Sequence, residues 1–312
     1  MTDKLQVLRD INKAHVGVAK LGSQCKTPDR IPTGSMTLDL ALGGGFPTGR
    51  IVTLWGAKAS TKSTLSLWTI SNAQKMGKNC VYIDAEKTYD PIDRAAQEIN
   101  NESLIVIPSA VLENIIDATE ELFKNGLADV VVVDSVSQIY SMKALDEDDN
   151  SIGQQSRAVK KLLSKFNYWN EDSLIILISQ VTVRFQGQNA SLWFTGGNNL
   201  AHMSSVVINL NAPTRSDKER NVFEKIKVGD KTIPYVVAQD IKWRVDFSKV
   251  SLPYAEGSYR FMNSGKNDSR FELVELASKT GVVEVKGGGN YYYPSEENVE
   301  HHWRGRIHSL MP

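Results

Sequence analysis

Near-continuous apolar runs, separated by polar segments with helical spacing, dominate the chain from Arg50 onward. They are RIVTLWG (50–56), NCVYIDA (79–85), SLIVIPS (103–109), DVVVVDSV (129–136), SLIILISQ (173–180) and VVINLNA (206–212). Runs so uniformly apolar suit strands buried on both faces. Between 112 and 124, Leu112, Ile115, Ile116, Thr119, Leu122 and Phe123 fall on one stripe, the spacing of a helix lying on a sheet. This alternation predicts an α/β fold, a mostly parallel central sheet flanked by helices and joined by right-handed crossovers. After 212 the pattern changes to longer two-period runs, VVAQDIKWRVDF and GSYRFMNSG, which predict antiparallel strands at one end of the sheet. FELVELASKTGVV predicts one more helix and KGGGNYYYP a hairpin or turn. Residues before 30 read as a short amphipathic helix and a polar connector, so the chain divides into an arm (1–30), a core (31–265) and a short C-terminal region (266–312). The stretch 181–199 reads as a long loop without secondary structure, a length that is usually functional or mobile.

The charge balance narrows the classes of function. Lysine and arginine total 36, as do aspartate and glutamate, so the net charge is zero and a polycation is excluded. Any nucleic-acid contact must be local, or built by subunits that line basic loops along a shared surface. A 41% hydrophobic content excludes wholesale disorder. No run approaches the roughly 18 apolar residues of a bilayer span, which argues against a membrane partner. The N-terminus mixes acids and bases without an apolar signal core. Cys25 and Cys80 form no C-x-x-C pair, which fits a reducing cytoplasm and excludes a disulfide framework or zinc ribbon. His15, His202, His301, His302 and His308 have no cysteine or carboxylate at ligand spacing and read as surface residues.

Candidate chemistry starts at GAKASTKS (56–63), which closes the first long apolar run and opens a helical pattern at Lys62. In such a loop, backbone N–H groups at a helix N-terminus point at an anion and the helix dipole adds to the field. Lys62 would bring a point charge to the β/γ-phosphates and Ser63 a hydroxyl to Mg²⁺. Gly56, Ala57, Lys58, Ala59, Ser60, Thr61 and Thr64 complete the cradle. The usual pattern is G-x-x-x-x-G-K-[ST]; here Thr61 replaces the second glycine, and a threonine resists positive φ and crowds a phosphate. On spacing alone, an ordinary strand-to-helix turn with a surface lysine stays open.

Two acids change that balance. Asp134 ends VVVVD and Glu86 follows VYIDA, so both stand with the loop at the carboxyl edge of the sheet, where open α/β sheets bind ligands. There Asp134 can hold a metal through water and Glu86 can polarise an attacking water. Either acid alone would read as a solvated strand end; the three features together predict a site for ATP and Mg²⁺.

The strings IPTGSMTLDLALGGGFPTGRIVTLWGAKASTKSTL (31–65), VYIDAEKTYDP (81–91), DVVVVDSV (129–136), IGQQSRAVKKLLSKF (152–166), LIILISQ (174–180) and TGGNNLAHMSS (195–205) follow in order, with LPYAEG (252–257) and ELVELASKTGVVE (272–284) behind them. Together they resemble the RecA family of recombinases over about 250 residues. Thr61 in the loop resembles phage recombinases of the UvsX kind. The resemblance implies a RecA-like P-loop ATPase core and a single-stranded-DNA-dependent ATPase that forms helical filaments on single-stranded DNA. Such an enzyme pairs that strand with homologous duplex DNA and exchanges strands, in the cytoplasm of a bacterial or phage-infected cell. Single-strand-binding and mediator proteins would be further partners, and residues before 30 the polymerisation arm.

By position, the resemblance gives Lys62 and Ser63 the phosphate and Mg²⁺ roles, Glu86 that of catalytic glutamate and Asp134 that of Walker B aspartate. Gln180 matches the glutamine that senses the γ-phosphate. Asp90 matches an adenine contact, and Asp93 stands where the family has a base-flanking tyrosine. Region 141–157 matches the first DNA loop, with Arg157 on the phosphate backbone; Ser164 stands at a second arginine position beside Lys160, Lys161 and Lys165. Region 181–199 matches the second DNA loop, with Arg184, Gly196, Gly197 and Asn198. Lys249 matches one of two lysines that reach a neighbouring subunit's ATP, and Phe247 occupies the place of the other.

Read without that likeness, 181–199 carries one arginine, no acids and the aromatics Phe185, Trp193 and Phe194, which suits insertion between the bases of a single strand. A flexible surface loop whose aromatics pack on a neighbour is the alternative. Arg157, Lys160, Lys161 and Lys165 share one helical segment, which equally suits a solvated basic face, and the acids Asp146 to Asp149 lie just upstream. Two other functions compete: another RecA-fold DNA motor such as a ring helicase, and a RecA-like DNA-binding mediator that hydrolyses ATP weakly or not at all.

Overall fold

In the computed structural model, residues 3–14, 19–92, 97–143, 153–186, 189–195, 197–228, 231–286, 290–294 and 300–304 are described. Helix α1 (Lys4–Ala14) precedes a short pair of strands, β1 (Arg30–Ile31) and β2 (Phe46–Pro47), that bracket helix α2 (Met36–Leu42). The main sheet then builds from β3 (Arg50–Gly56), β4 (Cys80–Asp84), β5 (Leu104–Ile107), β6 (Val130–Asp134), β7 (Leu174–Gln186), β8 (Asn189–Phe194) and β9 (Val206–Asn211). Its parallel part runs in the order β5-β4-β6-β7-β3-β9. Beyond β9 the sheet turns antiparallel through β11 (Lys231–Ser248), flanked by β10 (Asn221–Val228) and β12 (Glu256–Met262). Both halves match the pattern of apolar runs.

Those runs are apolar throughout because the sheet is covered on both sides. Val52 and Leu54 of β3 join one core with Leu65 and Ile70, whereas Ile51 and Trp55 join the other with Ile115 and Leu162. The first layer is helix α3 (Lys62–Lys75); the second is α4 (Leu112–Lys124) and α5 (Gln154–Trp169). The predicted stripe of α4 is the face that packs: Leu112, Ile115, Ile116 and Thr119 are buried, and Leu122 and Phe123 lie against the same core.

One expectation fails. Residues 181–199 are not a structureless loop: β7 continues to Gln186, β8 pairs back on it antiparallel, and helix α6 (Gly197–Met203) follows. Val181, Thr182 and Val183 are β-branched, and they carry the strand beyond Gln180, where the continuous apolar run stops. At the C-terminal end, α7 (Ser269–Lys279) docks on α2 through the fully buried Glu272. Its carboxylate accepts from Ser35 Oγ at 2.5 Å, Thr37 Oγ1 at 2.8 Å and the Met36 and Thr37 amides at 3.1 and 3.2 Å. The expected hairpin appears as β13 (Glu284–Lys286) and β14 (Asn290–Pro294), joined by an unforeseen β15 (Glu300–Arg304). Among the described residues no helix is long and apolar enough to cross a membrane.

Candidate active site

The loop between β3 and α3 is shaped by contacts at both ends. A Cβ on Gly56 would meet the Leu210 carbonyl oxygen and come within 2.8 Å of Ser60 Oγ, so only glycine fits there. Ala57, Lys58 and Ala59 are exposed, Ser60, Thr61 and Lys62 are buried, and Ser63 and Thr64 lie between. Lys62 opens α3, whose first-turn N–H groups have no partner within the helix. The Lys62 ammonium donates to the carbonyls of Gly56 at 3.0 Å and Ala57 at 2.7 Å and to Ser60 Oγ at 3.2 Å. Burial pulls its pKa down, and the carboxylates of Asp134 and Glu86 oppose that.

Thr61 adopts φ 62°, ψ 20°, the left-handed conformation that a threonine resists at a cost of about 1–3 kcal/mol. The left-handed backbone that glycine supplies in such a loop is present here on a threonine, whose side chain makes two contacts. The Thr61 hydroxyl donates to the Ser60 carbonyl at 2.6 Å and lies 2.6 Å from the Tyr259 hydroxyl. Each hydroxyl has one proton, so with Thr61 donating to Ser60 it is Tyr259 that donates to Thr61. Tyr259 is fully buried on β12, its ring edge-on to Trp68 at 5.6 Å, and burial raises its pKa and keeps the phenol protonated.

Two carboxylates face this loop at the same sheet edge. Asp134, buried at the end of β6, accepts from the Tyr82 hydroxyl at 2.6 Å and from Ser63. Burial pushes its pKa up, while the Ser63 and Tyr82 hydrogen bonds pull it down. The Ser63 hydroxyl beside the Asp134 carboxylate forms a pair of hard oxygen donors, which fits Mg²⁺ completed by phosphate and water. Glu86 is exposed beyond β4, and its Oε1 accepts from Ser135 Oγ at 2.9 Å and Gln180 Nε2 at 2.8 Å. Asp84 shapes the turn that presents it, accepting the Tyr89 amide at 2.8 Å. Neither Ser135 nor Asp84 was foreseen as part of the site. Their only signal was adjacency, Ser135 to Asp134 and Asp84 two residues before Glu86.

A phosphate loop, two edge carboxylates and a glutamine held on one of them call for comparison with known proteins. Residues 5–263 match the model of the RecA N-terminal domain. The chain is 31% identical over 299 residues to Protein RecA of Marinobacter nauticus, covering 94% of this chain and 81% of that one. It is 32% identical over 297 residues to Protein RecA of Bartonella quintana, covering 93% and 81%. The chain belongs to the RecA family. It is an ATP-dependent DNA recombinase and a DNA-dependent ATPase, and the readings as a ring helicase or a non-hydrolysing mediator fall away.

The remaining residues that the RecA resemblance singles out lie in four places. Asp90 is exposed and its Oδ1 accepts the Ile92 amide at 2.8 Å, while Asp93 lies outside the described residues. On α5 the buried face is Ala158, Val159, Leu162, Leu163 and Phe166, so Arg157, Lys160, Lys161 and Ser164 share the exposed side. Lys165 instead sits 5.5 Å over the Trp169 ring. The acids 146–149 lie outside the described residues.

On the β7–β8 hairpin, Arg184 pairs with Ser191 in the ladder, but its side chain and those of Phe185 and Asn198 are outside the described set, as is Gly196; Gly197 begins α6. Two of the aromatics expected to insert between bases are held by the protein itself. Phe194 is buried against Trp55 at 5.8 Å, and Trp193 stacks on Phe194 at 4.7 Å. His202 is exposed, whereas the side chains of the other four histidines lie outside the described residues.

Lys249 and the half-exposed Phe247 lie at the opposite edge of the sheet. Ser248 pairs with Val206, and Val206 with Val52, near the start of β3, whereas the phosphate loop leaves β3 at Gly56. Four residues of strand separate these levels by about 13 Å. Lys249 Nζ donates to the His202 carbonyl at 3.0 Å and lies 5.6 Å over the Phe247 ring.

Proposed function

We propose that this RecA-family recombinase binds ATP with Mg²⁺ on the 56–64 loop, works as a helical filament on single-stranded DNA, and pairs that strand with homologous duplex. The observation that carries this reading is the Gln180–Glu86 hydrogen bond. Gln180 lies on β7, and the same strand runs on into the β7–β8 hairpin bearing Arg184. Nucleotide chemistry and the candidate DNA face therefore share one continuous strand.

In the hydrolytic step, Lys62 and the first turn of α3 hold the transferring phosphate's charge. Ser63 and Asp134 would hold Mg²⁺, which would supply positive charge toward the phosphates. Glu86 is the group that orients water: among the described residues Ser135 and Gln180 both donate to Oε1, so Oε2 is the oxygen offered to accept its proton. Asp90 takes the adenine end. Arg157, Lys160 and Lys161 supply backbone contacts to DNA, along with Arg184 and the backbone around Gly196, Gly197 and Asn198. Lys249, too far along the sheet to serve its own loop, acts on a neighbouring subunit's phosphate, so hydrolysis depends on assembly. Residues 1–30 form the polymerisation arm, 31–265 the ATPase core and 266–312 an appended region; single-strand-binding and mediator proteins are accessory partners.

The test is ATP turnover by the full chain with and without single-stranded DNA, alongside electron microscopy of the same mixtures. Strong stimulation by DNA together with filaments is expected. Turnover indifferent to DNA, or closed rings, would overturn the reading.

A further inference from the structure

We infer that Tyr259 is a positioning residue of the phosphate loop, holding Thr61 in the conformation that keeps the N-terminus of α3 open to phosphate. The inference rests on the reading of 56–64 as the ATP phosphate site.

Thr61 occupies the N-cap position of α3. A threonine there ordinarily takes an extended backbone and turns its hydroxyl onto the N–H groups of the first helical turn. Those are the N–H groups that a bound phosphate requires. A threonine at this position is therefore a built-in competitor for the site. In this protein it does not compete: its backbone is left-handed and its side chain makes no cap hydrogen bond. The hydroxyl is turned away, donating to Ser60 and accepting from Tyr259.

Tyr259 is well fitted to hold it there. It comes from β12, where it pairs with Ile241 of β11, so its backbone is fixed by the sheet and not by the loop. Its ring is fully buried and braced by Trp68 of α3. Among the described residues its hydroxyl has one partner, Thr61, and without that contact both the buried phenol and the threonine oxygen lose hydrogen bonding. Without the phenol the extended, self-capping conformer gains ground, and each increment of it is lost to ATP as a fraction of competent sites. A purely structural role would act on folding; this one acts on nucleotide affinity, because self-capping stabilises the helix while closing the site.

The test compares wild type, Tyr259→Phe, Thr61→Gly and the double variant as full chains, with Lys62→Ala as a control on the site itself. Fluorescent ATP with Mg²⁺ reports Kd, steady-state turnover on single-stranded DNA separates KM from kcat, and thermal unfolding reports folding. Tyr259→Phe keeps the ring and should weaken ATP binding about fivefold to tenfold, the loss falling on KM, with little change in Tm; tenfold corresponds to about 1.4 kcal/mol. Glycine needs no restraint at this φ, so in the Thr61→Gly background the same tyrosine change should move Kd less than about twofold. The inference is overturned if Tyr259→Phe binds ATP like wild type, or if its loss is as large when residue 61 is glycine. Wild-type ATP binding by Lys62→Ala would instead remove the phosphate-site reading, and the inference with it.

Discussion

Removing the Gln180 side chain tests whether Glu86 depends on the two donors that converge on it. Gln180 Nε2 and Ser135 Oγ lie 2.8 and 2.9 Å from the same oxygen. A hydrogen bond to a charged acceptor contributes about 1.5–3 kcal/mol, and Glu86 is exposed, which puts each donor near the lower limit. Gln180→Ala should therefore lower kcat about tenfold while ATP affinity holds, as expected when orientation and not binding is lost. Ser135→Ala should act similarly. The assay is steady-state hydrolysis at saturating ATP and single-stranded DNA, with nucleotide affinity measured separately on each variant. The decisive comparison uses Glu86→Gln, which should itself cost a hundredfold or more. In that background neither alanine change has a carboxylate to disorient, so both should be nearly silent. If Gln180→Ala still costs tenfold there, the glutamine acts on the phosphate directly and the proposed orientation of Glu86 by Gln180 is wrong.

Two further outcomes follow from the geometry. Lys249→Ala should leave ATP binding by the monomer intact but abolish most DNA-stimulated hydrolysis; full stimulation across a DNA titration would make Lys249 a surface residue held by the His202 carbonyl. Asp39, whose carboxylate accepts the Thr33 amide at 2.8 Å, is pushed up by burial to about 6 from its ordinary 3.8. An acid whose folded pKa is raised gives stability that is fully present below the unfolded pKa and is lost as pH rises through the folded one. Wild type should thus lose about 2 kcal/mol between pH 4 and 7 at this group, after discount for partial exposure, whereas Asp39→Asn should not. Urea unfolding at a series of pH values would show identical slopes if the argument fails.

The positions legible in the sequence were those where a strand delivers a side chain to the carboxyl edge. Lys62, Glu86, Asp134 and Gln180 each follow an apolar run, and a parallel sheet brings the ends of such runs together whatever lies between them. The hairpin at 181–194 is hard to read from sequence because its alternating residues follow directly on a continuous apolar run. The packing of Trp193 and Phe194 is hidden in the sequence for a related reason. Aromatics in a loop can serve a ligand, but the root of a hairpin lies close to the core, where Trp55 is waiting.

Thr61 shows most clearly why sequence rules for a motif are conditional. Glycine is preferred there because a Cβ at positive φ costs energy, and that cost is a property of one residue. What offsets it is a phenol 198 positions further along the chain, brought to the loop by the pairing of β12 on β11. Nothing local marks Tyr259 as part of a phosphate site: it reads as one more aromatic on a two-period strand. A departure from a motif is thus evidence of weakness only until the fold supplies the neighbour. In this fold the neighbour is buried, protonated and aimed at the one hydroxyl that would otherwise cap the helix. The substitution and its compensation then form a single unit, and they should be gained or lost together.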